Sequence, residues 1–279
     1  GDLNSMDVEH RGQLAESLII LAEEAGERIM RVYQRDFAVE TKTDQSPLTE
    51  ADRAAHEHIL ARLQELTPTL PILSEEGGLP DYTSRRDWPL YWLVDPLDGT
   101  KEFIKKNGEF TVNIALVKEG QPILGIVHAP VFKTTYIGNR GNGAWRISGG
   151  VRTPIHTRVL PEDGPPMLVV SRSHRGEAVD RLLERLPPHE TRSVGSSLKF
   201  CLVAEGKADL YPRFGPTSEW DTAAAQCVVE AAGGRVTRVD LRPLTYNTKA
   251  SLLNPDFLVF GDPDWNLRPL LADFEVQVR

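Results

Sequence analysis

Between Val8 and Val32 the apolar residues Leu14, Leu18, Leu21, Ala22, Ala25, Ile29 and Val32 recur at intervals of three and four. That spacing places them on one face of a helix. A polar loop, Thr41-Lys42-Thr43-Asp44-Gln45-Ser46-Pro47, ends the pattern. Thr49 then reads as an N-cap with Asp52 three residues on, a capping-box arrangement, and the helix it opens is expected to run to Leu66, before Pro68. From Leu70 the rhythm changes to short apolar runs. Strands are expected at 71–74, 90–95, 110–118, 123–129 and 134–137, with a hairpin around Glu119-Gly120-Gln121 and a turn at Gly141-Asn142-Gly143. This portion reads as helices on a largely antiparallel sheet.

A loop rich in Pro, Gly and acidic residues, 161–166, precedes a different rhythm, in which a strand at 167–171 alternates with helices at 176–186, 196–205 and 222–232. Alternation of that kind is expected of an α/β unit. The chain therefore divides near residue 155, into 6–155 and 156–279, with residues 1–5 ahead of Met6 left aside. No fixed-period repeat is visible.

Composition narrows the function. The 279 residues carry 32 Lys plus Arg against 40 Asp plus Glu, a net charge of -8. That balance argues against a nucleic-acid polymer as partner, because a polyphosphate demands a basic surface. A small phosphorylated ligand in a local basic pocket remains open. The two cysteines, Cys201 and Cys227, stand in apolar stretches, which suits reduced thiols and a cytoplasmic location, a disulfide between them being the alternative. The longest apolar runs, 18–22 and 91–94, are far shorter than the roughly 20 residues of a membrane span, and no basic-then-apolar leader pattern opens the chain.

The most informative segment is Tyr91-Trp92-Leu93-Val94-Asp95-Pro96-Leu97-Asp98-Gly99-Thr100. A buried strand is expected to end at Asp95, since Pro96 offers no N–H to a ladder. Asp98 returns a second carboxylate, with the Leu97 carbonyl between the two. Gly99 and Thr100 would open a helix whose free N–H groups attract phosphate. Two carboxylates and a carbonyl beside such a start suit Mg²⁺, a hard cation that prefers oxygen; the plainer alternative is a turn with a capped helix. Two further segments end in acid: Ile72-Leu73-Ser74-Glu75-Glu76, where a charged pair could be a solvated loop, and Glu219-Trp220-Asp221-Thr222, where Asp221 reads as a structural N-cap. Convergence of all three on one edge would make a site for two or three Mg²⁺ ions.

In that order and context, Glu75-Glu76, Asp95-Pro96-Leu97-Asp98-Gly99-Thr100 and Trp220-Asp221 resemble the motifs of the inositol monophosphatase superfamily, the lithium-sensitive, Mg²⁺-dependent phosphatases. The likeness extends from the Lys42 loop to Gly234. It implies a layered α-β-α-β-α sandwich. It also implies that Glu75, Asp95, the Leu97 carbonyl, Asp98 and Asp221 ligate the metals. Thr100 with Asp44 would orient and deprotonate the attacking water, with Glu75 also in the catalytic set, and the Gly99 and Thr100 N–H groups would hold the phosphate.

Within the superfamily the chain looks most like the 3′(2′),5′-bisphosphate nucleotidases, by Asp98-Gly99-Thr100-Lys101-Glu102-Phe103, Val170-Ser171-Arg172-Ser173-His174-Arg175 and Gly195-Ser196-Ser197-Leu198-Lys199. That branch removes the 3′-phosphate of adenosine 3′,5′-bisphosphate, and some members act on the 5′-phosphosulfate analogue. The resemblance places His174, Ser196, Lys199 and Arg213 around the nucleotide, beside Glu75, Leu97, Asp98, Gly99, Thr100 and Asp221. Arg213 stands where the inositol enzymes carry an acid that contacts ring hydroxyls, and a cation there favours a second phosphate. Solvent-facing basic residues are the plainer alternative, Lys199 lying in a helix. The rival functions are an inositol-1-phosphate or sugar-bisphosphate phosphatase and, in another class, a non-catalytic nucleotide sensor. Monomer and homodimer both stay open.

Overall fold

The computed structural model describes residues 6–42 and 47–279. The first helix, α1 (Val8–Tyr33), is capped by Asp7, whose side chain accepts from the His10 amide at 2.9 Å. It buries Leu18, Leu21, Ala22, Ala25, Ile29 and Val32, as the spacing requires. A small antiparallel pair, β1 (Val39–Thr41) and β2 (Pro47–Thr49), leads into α2 (Glu50–Leu66). The Asp52 carboxylate accepts from the Thr49 amide at 3.0 Å, so the anticipated cap geometry is present.

The chain then builds β3 (Ile72–Ser74), α3 (Tyr82–Arg85), β4 (Leu90–Asp98) and α4 (Thr100–Ile104), followed by β5 (Thr111–Lys118), β6 (Gln121–Ala129), β7 (Thr134–Asn139), β8 (Gly143–Ser148) and β9 (Val151–Ile155). Strands β3 to β9 form one seven-stranded sheet in sequence order. Every pairing is antiparallel except β3 with β4. The second half adds β10 (Met167–Ser171), α5 (Glu177–Arg185), β11 (Glu190–Val194), α6 (Leu198–Ala204) and β12 (Leu210–Arg213). Then come β13 (Thr217–Ser218), α7 (Glu219–Ala231), β14 (Arg235–Arg238), β15 (Leu253–Asn254), β16 (Phe257–Phe260) and a 3₁₀ turn, Arg268–Leu271. Five of these strands make a mixed sheet of order β11-β10-β12-β16-β14.

Side-chain alternation along the strands sorts the core into three layers. Leu90, Trp92 and Val94 of β4 pack with α1 and α2, while Tyr91 and Leu93 face α6 and α7. In β10, Val169 turns toward those same two helices, and Leu168 and Val170 turn toward α5 and the 3₁₀ turn. The result is the expected α-β-α-β-α sandwich, with α6 and α7 between the sheets.

Two local expectations change, and two edge strands are new. Strand β4 does not stop at Asp95: its pairing with β5 resumes at Asp98↔Thr111 after a bulge, so Pro96 and Leu97 bend the strand instead of ending it. Helix α7 starts at Glu219 with Ser218 as N-cap, so Asp221 is the third helical residue and not the cap. Strands β9 and β11 had no apolar signal because both lie at sheet edges, each with four of its five residues exposed. Both cysteines are buried and free. Among the described residues no helix is long and apolar enough to cross a membrane.

Candidate active site

Four helix or strand ends meet at one cleft. Strands β3 and β4 run parallel, and the Glu75 amide donates to the Val94 carbonyl at 3.2 Å, which sets Glu75 beside Asp95. The bulge after Asp95 turns Asp98 back toward it. Helix α7 brings Asp221 from the other side, where its carboxylate accepts from the Ser218 amide at 2.8 Å. Asp95, Asp98 and Asp221 each offer an oxygen, and these atoms lie within 4.8 Å of one another.

Packing like charges in a dry place is costly. Burial first, then the charges of Glu75, Asp98 and Asp221, push Asp95 well above the usual carboxylate range. Burial pushes Asp98 up to about 8, with Asp221 adding and Lys199 opposing. Glu75 and Asp221 are raised as well, chiefly by burial. Asp95 Oδ1 takes the Leu97 amide at 3.3 Å, whereas its buried Oδ2 has no hydrogen-bond partner among the described residues. An orphaned buried oxygen amid carboxylates that resist ionisation together is the donor set a hard divalent cation satisfies, so these residues fit a metal. Lys42 supplies a partial counter-charge, 3.2 Å from Glu75 and also paired with Glu76. Burial works against its charge, yet the carboxylates outweigh it and raise its pKa.

The Gly99 backbone has φ +90, and a Cβ there would sit 3.1 Å from the Glu109 carbonyl and 3.2 Å from Ser196 Cβ, so a side chain at this position would be both strained and crowded. It opens α4 and lets the chain pass beneath Ser196, itself at φ +59. The Thr100 hydroxyl donates to Asp52 Oδ1 at 3.0 Å. Asp44, the carboxylate first paired with Thr100, lies outside the described residues. Asp52 was legible only as a cap, because an acid at the third position of α2 serves a helix start equally well with or without a second task; its other oxygen does accept from Thr49.

The same cleft also holds cations. Lys199 is buried and not solvent-facing: its Nζ donates to the Val194 carbonyl at 3.0 Å and lies 5.2 Å over the Tyr211 ring. Burial lowers it to about 8, with Asp98 opposing. Arg213, also buried, donates to the His174 carbonyl at 3.1 Å and the Pro216 carbonyl at 3.3 Å. Partial burial of its ring, then the cations Arg213, Lys101 and Lys199, pull His174 down to about 4. Apart from Asp44, every residue expected from the sequence to ligate metal, act in catalysis or touch substrate lines this one cleft, joined by Lys42, Lys101 and Glu102.

Known proteins resemble the chain as a whole. The model of the inositol monophosphatase family matches residues 11–272. The chain is 52% identical over 248 residues to the 3′(2′),5′-bisphosphate nucleotidase CysQ of Salmonella typhimurium, covering 88% of this chain and 99% of that one. A crystal structure of CysQ from Bacteroides thetaiotaomicron superposes with a TM-score of 0.78 at 44% identity, covering 90% of this chain and 98% of the other. An inositol monophosphatase from Zymomonas mobilis follows at TM-score 0.75 and 26% identity, covering 98% of both.

Proposed function

The chain belongs to the inositol monophosphatase family, and we propose that it is a Mg²⁺-dependent 3′(2′),5′-bisphosphate nucleotidase that hydrolyses the 3′-phosphate of adenosine 3′,5′-bisphosphate to AMP and phosphate. The observation that carries this reading is a single cleft lined both by the acids Glu75, Asp95, Asp98 and Asp221 and by the buried cations Lys199 and Arg213. A substrate with one phosphate needs only the acids and the metal they would hold. A substrate with two also needs the cations. Kinship with relatives named for that activity points the same way.

Glu75, Asp95, the Leu97 carbonyl, Asp98 and Asp221 would hold two or three Mg²⁺ ions. The bound metal would neutralise phosphoryl charge and lower the pKa of water. The chain's own groups do the rest. The Thr100 hydroxyl, whose proton goes to Asp52, keeps its lone pairs free to accept from the attacking water, so the pair orients that water and passes a proton toward Asp52. Asp44 keeps its proposed part in the same task. The Gly99 and Thr100 amides cradle the phosphate. Lys199 spends one of its three N–H groups on Val194 and Arg213 two of its five on carbonyls, which leaves donors for a second phosphate. His174, neutral at pH 7 by its depressed pKa, serves as a hydrogen-bonding group, and Ser196 adds a hydroxyl. The same cleft would admit the 5′-phosphosulfate analogue, and the free buried thiols accord with a cytoplasmic enzyme.

The test is phosphate release from adenosine 3′,5′-bisphosphate and from inositol 1-phosphate, side by side, with Mg²⁺ and with chelator. Mg²⁺-dependent preference for the nucleotide is expected. Preference for inositol 1-phosphate would overturn the substrate assignment, and tight binding without release from either would favour a nucleotide sensor.

A further inference from the structure

Glu102 is an acid buried in the cationic part of the cleft, 3% exposed, where it works against a polyanionic ligand unless its geometry repays the cost. It lies two residues after Thr100 on α4, in the first half of the chain, yet one of its two side-chain bonds crosses to the second half. One carboxylate oxygen accepts from the Ser173 hydroxyl in the loop after β10; the other accepts from the Asn107 side chain. Gly195, in the loop after β11, packs flat against it: a Cβ there would come within 2.6 Å of Glu102 Cγ. Farther along the same segment Glu109 accepts from the Gly195 amide at 3.0 Å and from Arg172 Nε at 2.7 Å, and Arg172 donates to the Ser193 carbonyl at 2.9 Å. Two carboxylates of one short segment thus clasp the two loops that carry His174 and Ser196.

We infer that Glu102 is a positioning residue for the second-phosphate site: by holding Ser173 and backing Gly195 it fixes His174, whose carbonyl anchors Arg213, and Ser196. This rests on the nucleotidase reading for its kinetic consequence but not for its structural one. Charge-assisted hydrogen bonds of this kind are among the strong ones, and losing this one leaves the half-buried Ser173 hydroxyl without its acceptor.

Kinetics on the Mg²⁺-loaded enzyme with adenosine 3′,5′-bisphosphate and adenosine 3′-monophosphate test it. Glu102→Ala should raise KM for the bisphosphate about tenfold, with kcat within about twofold and KM for the monophosphate unmoved, a change the size of one such bond. Glu102→Gln, which keeps an acceptor for Ser173, should recover most of it, and Ser173→Ala should reproduce the defect. A loss that falls equally on both substrates, or on kcat alone, would overturn the inference. Hydrogen exchange decides the clasp even if the nucleotidase reading fails: the amides of 172–175 and 194–197 should exchange faster in Glu102→Ala and not in Glu102→Gln. Unchanged exchange would refute it.

Discussion

Asp95 sits where four carboxylates compete for one dry volume, and its orphaned Oδ2 marks the cost of that arrangement. Asp95→Asn replaces an acid whose ionisation the cluster opposes with a neutral side chain of the same shape. The metal-free variant should therefore unfold at a higher temperature than the metal-free parent, while phosphate release falls by several orders of magnitude through loss of a ligand charge. Full turnover in a folded Asp95→Asn protein would sink the metal-site assignment. At this scale the sequence was most telling where chemistry and local structure disagree. Asp95 and Asp98 around a proline have no ordinary reason to follow a buried strand so closely, and they stood out. Asp52 and Asp221 are both the third residue of a helix and both accept from the N-cap amide. Their capping geometry conceals any second role, and for Asp52 only the 3.0 Å bond from Thr100 reveals it.

Helix α7 is the element that closes the site, because it must lie tight against the seven-stranded sheet to bring Asp221 to Asp95 and Asp98. Gly125 on β6 and Gly138 on β7 permit that approach. Added Cβ atoms would stand 2.3 Å from the Ala224 carbonyl and 2.6 Å from the Cys227 carbonyl, closer than atoms pack. Gly125→Ala should thus destabilise the protein by about 2–4 kcal/mol, read from its urea midpoint, by forcing helix and sheet apart. An unchanged midpoint would show that the contact is looser than described. Elements with a clear apolar period, such as α1, β4 and β5, were legible from the sequence. Those set by tertiary pairing were not. The edge strands β9 and β11 are polar and exposed, and β14 and β16 lie beyond the motifs, in a stretch whose strand order depends on distant partners.

For the molecule as a whole, the carboxylate cluster ties stability to pH and metal. In the metal-free fold Asp98 holds its proton up to about 8, above its ordinary value of 3.8. The folded state therefore binds more protons than the unfolded one across that window, and stability must fall as pH rises through it. Mg²⁺ offsets the repulsion, so the rise in melting temperature on adding it should be larger at pH 8 than at pH 5. An equal rise at both would mean that the metal binds elsewhere. The five layers could be anticipated from motifs and alternation; buried cations in the same cleft as the acids could not, because Lys199 and Arg213 read equally well as surface residues until their burial is seen. The measurement that tests the role of these cations most directly is kcat/KM for adenosine 3′,5′-bisphosphate against adenosine 3′-monophosphate in Mg²⁺, for the parent and for Arg213→Met. The parent is expected to prefer the bisphosphate by at least about tenfold, the worth of one charge-assisted contact, and the variant to lose this preference while still turning over the monophosphate. Equal efficiency on both substrates in the parent, or a preference that survives Arg213→Met, would contradict that role.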